Sequence, residues 1–128
     1  REYLGGLIVP GMEMALEALT AQAALLPQVS LKPPRSFLGR DTAGSIRSGI
    51  FFGYSALCDG IVQRLQTGKF RKARVVATGG NARLIVPYCK SVHVVNPTLT
   101  LEGLRMSFQK ECPASPRRLH PSKVRKKG

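Results

Sequence analysis

Ala73-Arg74-Val75-Val76-Ala77-Thr78-Gly79-Gly80-Asn81 passes from an apolar, β-branched run straight into a paired glycine. Val75, Val76 and Ala77 read as a short strand of the kind that is covered on both faces. Two consecutive glycines remove two Cβ atoms where the backbone leaves the sheet. The chain can then take a positive φ, and a ligand can rest almost on the main chain. A helix is expected to begin near Asn81, and its first amides would add partial positive charge at the same corner. Such a corner suits a flat or anionic ligand. A purely structural turn satisfies the same residues, because Thr-Gly-Gly alone is a short pattern.

Upstream of this turn the sequence predicts its longest element, a helix over 42–65 with Asp41 or Thr42 as N-cap. Phe37-Leu38-Gly39-Arg40-Asp41-Thr42 leads into it, and Gly39 permits a sharp backbone turn. The free amides at the helix start, the Arg40 guanidinium and the Thr42 hydroxyl could together hold a carboxylate or a polar amide of a small molecule. An ordinary N-cap beside a surface arginine accounts for the same spacing. Within the helix, Gly49, Gly53, Ala56 and Gly60 fall on one narrow strip without bulk. Each glycine costs a helix ~1 kcal/mol against alanine. Three on one face imply that another backbone comes close there, from a second helix or a second subunit. Ile46, Ile50, Leu57 and Ile61 lie beside the strip and are expected to face the core. Asp59 reads as an exposed residue, with a capping or cross-subunit role as the alternative. Gly68 is expected at the C′ position that ends the helix.

The flanking sequence alternates strands and helices. Residues 3–11 read as a strand with a glycine pair, closed by a Pro10-Gly11 turn. Met12, Leu16, Leu19, Ala23 and Leu26 make one apolar stripe of a helix over 12–26, which Pro27 stops. A short edge strand is expected at 29–31, and Lys32-Pro-Pro-Arg35 is a stiff connector. After the glycine turn, 82–88 gives one or two helical turns that Pro87 keeps short. A strand at 92–95 carries His93 in a structural role. Asn96-Pro-Thr98 then caps a helix over 99–108 with Leu101, Leu104, Met106 and Phe108 on its surface. This order is α/β.

The 128 residues, 43% of them apolar, suit one globular domain. Gly, Pro or charge interrupts every apolar run well short of the ~20 residues a membrane helix needs. The sequence opens at Arg1 rather than Met, so a piece of a longer protein is expected. Cys58, Cys89 and Cys112 are odd in number and widely spaced, which argues against a disulfide framework and a zinc site and suits a reducing cytoplasm. The net charge of +13 is uneven, since residues 110–128 hold seven Lys or Arg against one Glu and include three prolines. The expected organisation is therefore a body, 1–109, and a disordered basic tail, 110–128. That tail reads as an arm for RNA or an acidic surface, or as a merely solvated end. The body lacks the aromatic and basic alternation that stacks single-stranded bases, which argues against nucleic acid as its ligand.

Gly5-Gly-Leu-Ile-Val-Pro-Gly11, Gly39-Arg-Asp-Thr42 with Ser48-Gly-Ile-Phe-Phe-Gly-Tyr54, Asp59-Gly60, Val76-Ala-Thr-Gly-Gly80 and Asn96-Pro-Thr-Leu-Thr-Leu-Glu-Gly-Leu104 resemble, in order and spacing, the C-terminal half of the type III pantothenate kinases. The resemblance covers residues 2–108. It implies the C-terminal ribonuclease H-like lobe of an actin-like ATPase fold, with an incomplete sheet and packed helices. It also implies phosphorylation of pantothenate by ATP, the first step of coenzyme A biosynthesis, in a cytoplasmic homodimer. Magnesium and a monovalent cation, potassium or ammonium, come with that activity. Residue by residue, it implies Thr78, Gly79 and Gly80 on the adenosine side. Thr42, with Gly39 and Arg40 beside it, is implied at pantothenate, reaching over from the partner subunit. The glycine strip of Gly49, Gly53 and Gly60 is implied at the dimer interface. The resemblance implies Asn as the family's usual residue where this chain has Asp41. The family's phosphate-holding acidic motif, its catalytic aspartate and its metal-holding residues lie upstream of the matched stretch, so the chain is expected to hold no catalytic or metal residue and to be inactive alone. A noncatalytic dimerisation or regulatory module, and a nucleic-acid binder working through the tail, are the other two readings.

Overall fold

The structure, a computed structural model, describes residues 2–22 and 26–111. The chain divides into two units, Arg1–Pro97 and Thr98–Gly128. The first unit is built on two helices, α1 (Met12–Gln22) and α2 (Thr42–Leu65), that pack on each other. β1 (Val76–Ala77), α3 (Ala82–Ile85), a 3₁₀ turn (Val86–Tyr88) and β2 (Val94–Val95) follow. Helices around a small parallel sheet make this an α/β fold.

Met12 and Leu16, one turn apart, are the buried residues of α1. Tyr54 of α2 donates from its hydroxyl to the Pro10 carbonyl at 2.9 Å and to that of Gly11 at 3.2 Å, which fixes where α1 begins. The helix is described to Gln22, short of the predicted 26; Ala23 lies outside the described residues and Leu26 sits in a bend. Leu19, expected in the apolar stripe's core, is exposed.

Asp41 N-caps α2 in extended geometry, its carboxylate accepting from the Gly44 amide at 2.6 Å. Ile46, Ser48, Phe51 and Ser55 are buried, and Phe51 is fully enclosed. The Phe51 and Phe52 rings meet Tyr88 edge-on at 5.3 and 5.2 Å, so the buried side of α2 faces the 3₁₀ turn. That rotation corrects the expectation for Leu57, which is exposed. It stands more than ~100° around the helix from both Phe51 and Ser55. The helix closes on Gln66, so the C′ position falls on Thr67, and Gly68 instead opens a 3₁₀ turn, Gly68–Phe70.

β1 and β2 pair in parallel, Val76 with Val94 and Ala77 with Val95. The His93 amide donates to the Val75 carbonyl at 3.0 Å and the Asn96 amide to that of Ala77 at 2.9 Å. The Val75 amide donates to Nδ1 of His93 at 3.1 Å, so the imidazole serves the sheet. Val75 and Ala77 are half-buried and Val76 between them is exposed, which corrects the expectation of cover on both faces. Two strands crossed on one side bury one face only.

Two expected strands are absent among the described residues. Residues 3–11 join no ladder: Gly5 at φ 125° leaves the extended region, and among the described residues the sheet holds β1 and β2. Leu4 and Leu7 instead line an apolar groove of about 630 Å³ with Val62, Leu65, Phe70 and Val75. Residues 29–31 run without a partner strand, and the Ser30 carbonyl accepts from Nε of Arg47 at 3.4 Å.

The second unit holds α4 (Leu99–Glu111), which runs through Lys110, where the tail was expected to start. The Thr98 hydroxyl donates to the Glu102 carboxylate at 2.7 Å at its first turn. Residues 112–128, with Cys112 and the rest of the expected tail, lie outside the described residues. Among the described residues, no helix is long and apolar enough to cross a membrane.

Candidate functional site

The loop before α2 is held by contacts that spacing alone does not display. Ser36 donates from its hydroxyl to the Leu38 carbonyl at 2.7 Å, and the buried Ser48 donates to that of Phe37. Gly39 lies flush on the first turn of α2: a Cβ built there would run into the backbone of Gly44 and Ser45. Only glycine fits that approach. Asp41 then spends its carboxylate on the Gly44 amide, which removes one of the free donors expected for a ligand.

Gly39 and Arg40 border one cleft and Thr42 borders another. The first encloses about 700 Å³ and is lined by Lys32, Arg35, Arg40 and Arg47, with Asp41 as the carboxylate among them. Four cations against one acid favour an anionic occupant. Thr42, exposed on the first turn, instead lines an apolar groove of about 360 Å³ with Leu19, Ile46, Gly49 and Ile50. Thr42 and Gly49 are two helical turns apart on one face, so the hydroxyl opens onto the glycine strip rather than onto the basic cleft. A Cβ built on Gly49, Gly53 or Gly60 meets nothing within 4 Å. The strip is bare in this chain.

Thr78, Gly79 and Gly80 are exposed and lead from β1 into α3 with Asn81 as N-cap. Gly79 has φ 101°, and the Ala82 amide donates to its carbonyl at 3.2 Å. No atom stands within 4 Å of a Cβ built on either glycine. The expected bare main chain is therefore present and open to a ligand.

Asp59 ties α2 to the stretch that follows the 3₁₀ turn Val86–Tyr88. Its carboxylate accepts from the Lys90 amide at 2.9 Å through both oxygens and from the Ser91 amide at 2.8 Å. Partial burial alone would raise its pKa. The Lys90 and Ser91 amides, the Ser91 side chain and the Lys90 charge together outweigh burial and hold it below the ordinary 3.8. The exposed position expected for Asp59 is thus corrected to a capping one. A single acid in an apolar helical stretch was the available signal, but its partners lie thirty-one and thirty-two residues away.

The sequence profile of the type III pantothenate kinases matches residues 1–64, half of the chain. A type III pantothenate kinase of Desulfosudis oleivorans is 50% identical over 105 residues, which cover 81% of this chain. The chain belongs to the type III pantothenate kinase family. A type III pantothenate kinase from Citrifermentans bemidjiense is 45% identical over 109 residues, and one from Acidothermus cellulolyticus 39% over 112, covering 85% and 88% of the chain. The shares of these three relatives that are matched are 41%, 43% and 44%, so the chain spans about two fifths of their length.

The Gly79-Gly80 corner leaves space at the main chain, since no atom stands within 4 Å of a Cβ built on either glycine, and bare backbone of that kind lets a flat or anionic group come close. Among the described residues, no three or more His, Cys, Asp and Glu gather to hold a metal ion.

Proposed function

We propose that this chain is the second lobe of an ATP-dependent pantothenate kinase, built as the C-terminal ribonuclease H-like lobe of an actin-like fold and working in the cytoplasm as a homodimer. Thr78, Gly79 and Gly80 take the adenosine side of ATP. Thr42 reaches pantothenate from one subunit to the other, with Gly39 and Arg40 shaping the loop behind it. The open face of α2, with Thr42, Gly49, Gly53 and Gly60, receives the partner subunit. Magnesium and potassium or ammonium enter this reading with the family, and no step on this chain's residues is routed through them. The groups that clamp the phosphates and take the proton come from outside residues 2–111, so the chain alone does not transfer phosphate.

The observation that carries this reading is the uncovered backbone at Gly79-Gly80. Titration of ATP into the labelled chain, followed through its amide resonances, tests it. The amides of 79–82 are expected to shift together, with no phosphopantothenate formed when pantothenate is added. Unmoved resonances at those amides in millimolar ATP, or turnover by the chain alone, would overturn the proposal.

The bare glycine strip favours a second reading, an association module without catalysis. Under either reading Gly53→Leu lowers self-association in equilibrium sedimentation. An unchanged association state removes the strip's role, and ATP binding at Gly79-Gly80 decides between the two.

A further inference from the structure

We infer that Cys58 on α2 and Cys89, just after the 3₁₀ turn Val86–Tyr88, are a paired thiol site that closes to an intramolecular disulfide on meeting a low-molecular-weight disulfide. The two residues are brought together by clamps on both sides. Toward one side, Phe51 and Phe52 close on Tyr88. Toward the other, Asp59, the next residue after Cys58, accepts from the amides of Lys90 and Ser91, the next two after Cys89. Cys58 and Cys89 each directly precede a residue of that tie, and a hydrogen bond links the Cys89 side chain to Cys58, so the two thiols meet at one seam. Both thiols are free and half-buried, and Cys89 donates to the Ile85 carbonyl at 3.5 Å. Closure would staple α2 to the stretch that joins the Gly79-Gly80 turn to β2.

The chemistry balances with the small disulfide as oxidant. One cysteine thiolate attacks a sulfur of that disulfide, its S–S bond breaks, and one small thiolate leaves with the electron pair and takes up a proton. The second cysteine, as thiolate, attacks the mixed disulfide and expels the second small thiol. Two protein thiols are oxidised and one small disulfide is reduced to two thiols. Whichever cysteine reacts first, Cys89 acts once as the attacking thiolate.

Burial first, then the charges of Cys58 and Asp59 and a hydrogen bond with Cys58, push the Cys89 thiol up to about 11. The charged or titratable groups around it are Cys58 and Asp59 on α2 and Lys90 next along the chain. At neutral pH its thiolate fraction is on the order of one in ten thousand. Closure is therefore slow near neutrality and accelerates about tenfold per pH unit as the thiolate fraction rises.

The test treats the chain with excess oxidised glutathione, quenches with N-ethylmaleimide, digests with trypsin and identifies the linked peptides by mass. Cys58, Cys89 and Cys112 fall in separate tryptic peptides, 48–64, 84–90 and 111–117, so each linkage has its own mass. The expected product joins 48–64 to 84–90, forms roughly a hundred times faster near pH 9 than near pH 7, and persists in Cys112→Ser. Glutathione adducts on Cys58 and Cys89 without the link, a link to Cys112, or a link between two chains would overturn the inference. A rate that does not rise with pH would equally overturn the part given to Cys89.

Discussion

Removing the Asp59 carboxylate is expected to loosen the chain around Lys90 and Ser91 rather than at Asp59 itself. Asp59→Ala leaves two amides without their acceptor. A hydrogen bond to a charged group contributes about 1.5–3 kcal/mol, and solvent screening of this partly exposed carboxylate brings that to about 1 kcal/mol for each amide. The expected loss is therefore ~2 kcal/mol, seen as a lower urea midpoint at unchanged m-value. Native-state hydrogen exchange gives the local readout: the Lys90 and Ser91 amides should exchange about 30-fold faster, at tenfold per 1.4 kcal/mol. Asp59→Asn keeps one acceptor oxygen and should lose about half as much. The pH dependence has a definite sign. A carboxyl whose pKa is lower when folded stabilises the fold fully above its unfolded value, and that stabilisation is lost as the pH falls through the folded pKa. The wild-type chain should thus lose stability relative to Asp59→Asn on acidification below the ordinary 3.8, and the two should run parallel above it. Lys90 and Ser91 amides exchanging at the wild-type rate in Asp59→Ala would refute the reasoning, because those two amides are the backbone donors the carboxylate holds.

Gly39→Ala is expected to cost ~2–4 kcal/mol in urea unfolding, since its Cβ meets backbone that cannot step aside. Gly49→Ala, in open space on α2, should stabilise the isolated chain by up to ~1 kcal/mol. Asp41→Ala should cost ~1 kcal/mol and Asp41→Asn almost nothing, because either side chain caps the helix; thermal melts of the pair separate the cap from the charge. Tyr54→Phe removes the tie to Pro10 and Gly11 and should cost ~1 kcal/mol, with faster amide exchange confined to the first turn of α1.

What the sequence displayed was whatever a few neighbouring residues decide. Asp41 before an apolar helical pattern predicts an N-cap, and the helix runs over the expected 42–65. Val75 to Asn81 predicts strand, turn and helix, and β1, Gly79 at positive φ and α3 follow. What stayed hidden depends on distant partners. Residues 3–11 have the composition of a strand, but pairing belongs to two segments at once and this one finds no neighbour in the sheet. Leu57 is as apolar as Ile46, yet Tyr88, more than thirty residues on, decides which side of α2 is covered. Asp59 and the meeting of Cys58 with Cys89 were invisible for the same reason. Of the site residues, Gly79 and Gly80 stand open as expected. Thr42 and Arg40, grouped by spacing, border different clefts, because two residues at a helix start can face different sides.

Gly39-Arg-Asp-Thr42 therefore divides its work by geometry. Gly39 has no freedom, because the turn above it occupies the space a side chain needs. Asp41 has none either, since its oxygen is committed to Gly44, and an amide oxygen would serve there equally. The Asn that the resemblance implies at this position would then be no contradiction: both residues meet the capping requirement, and the difference is one negative charge beside Lys32, Arg35, Arg40 and Arg47. An added carboxylate in that basic cleft weakens its hold on an anion without touching the fold. Thr42 has its side chain on the face where Gly49 leaves α2 bare. A motif that fixes its own loop through two residues and sets the fourth on an open helix face can present that hydroxyl to a second molecule, whereas the same hydroxyl turned into the basic cleft could not.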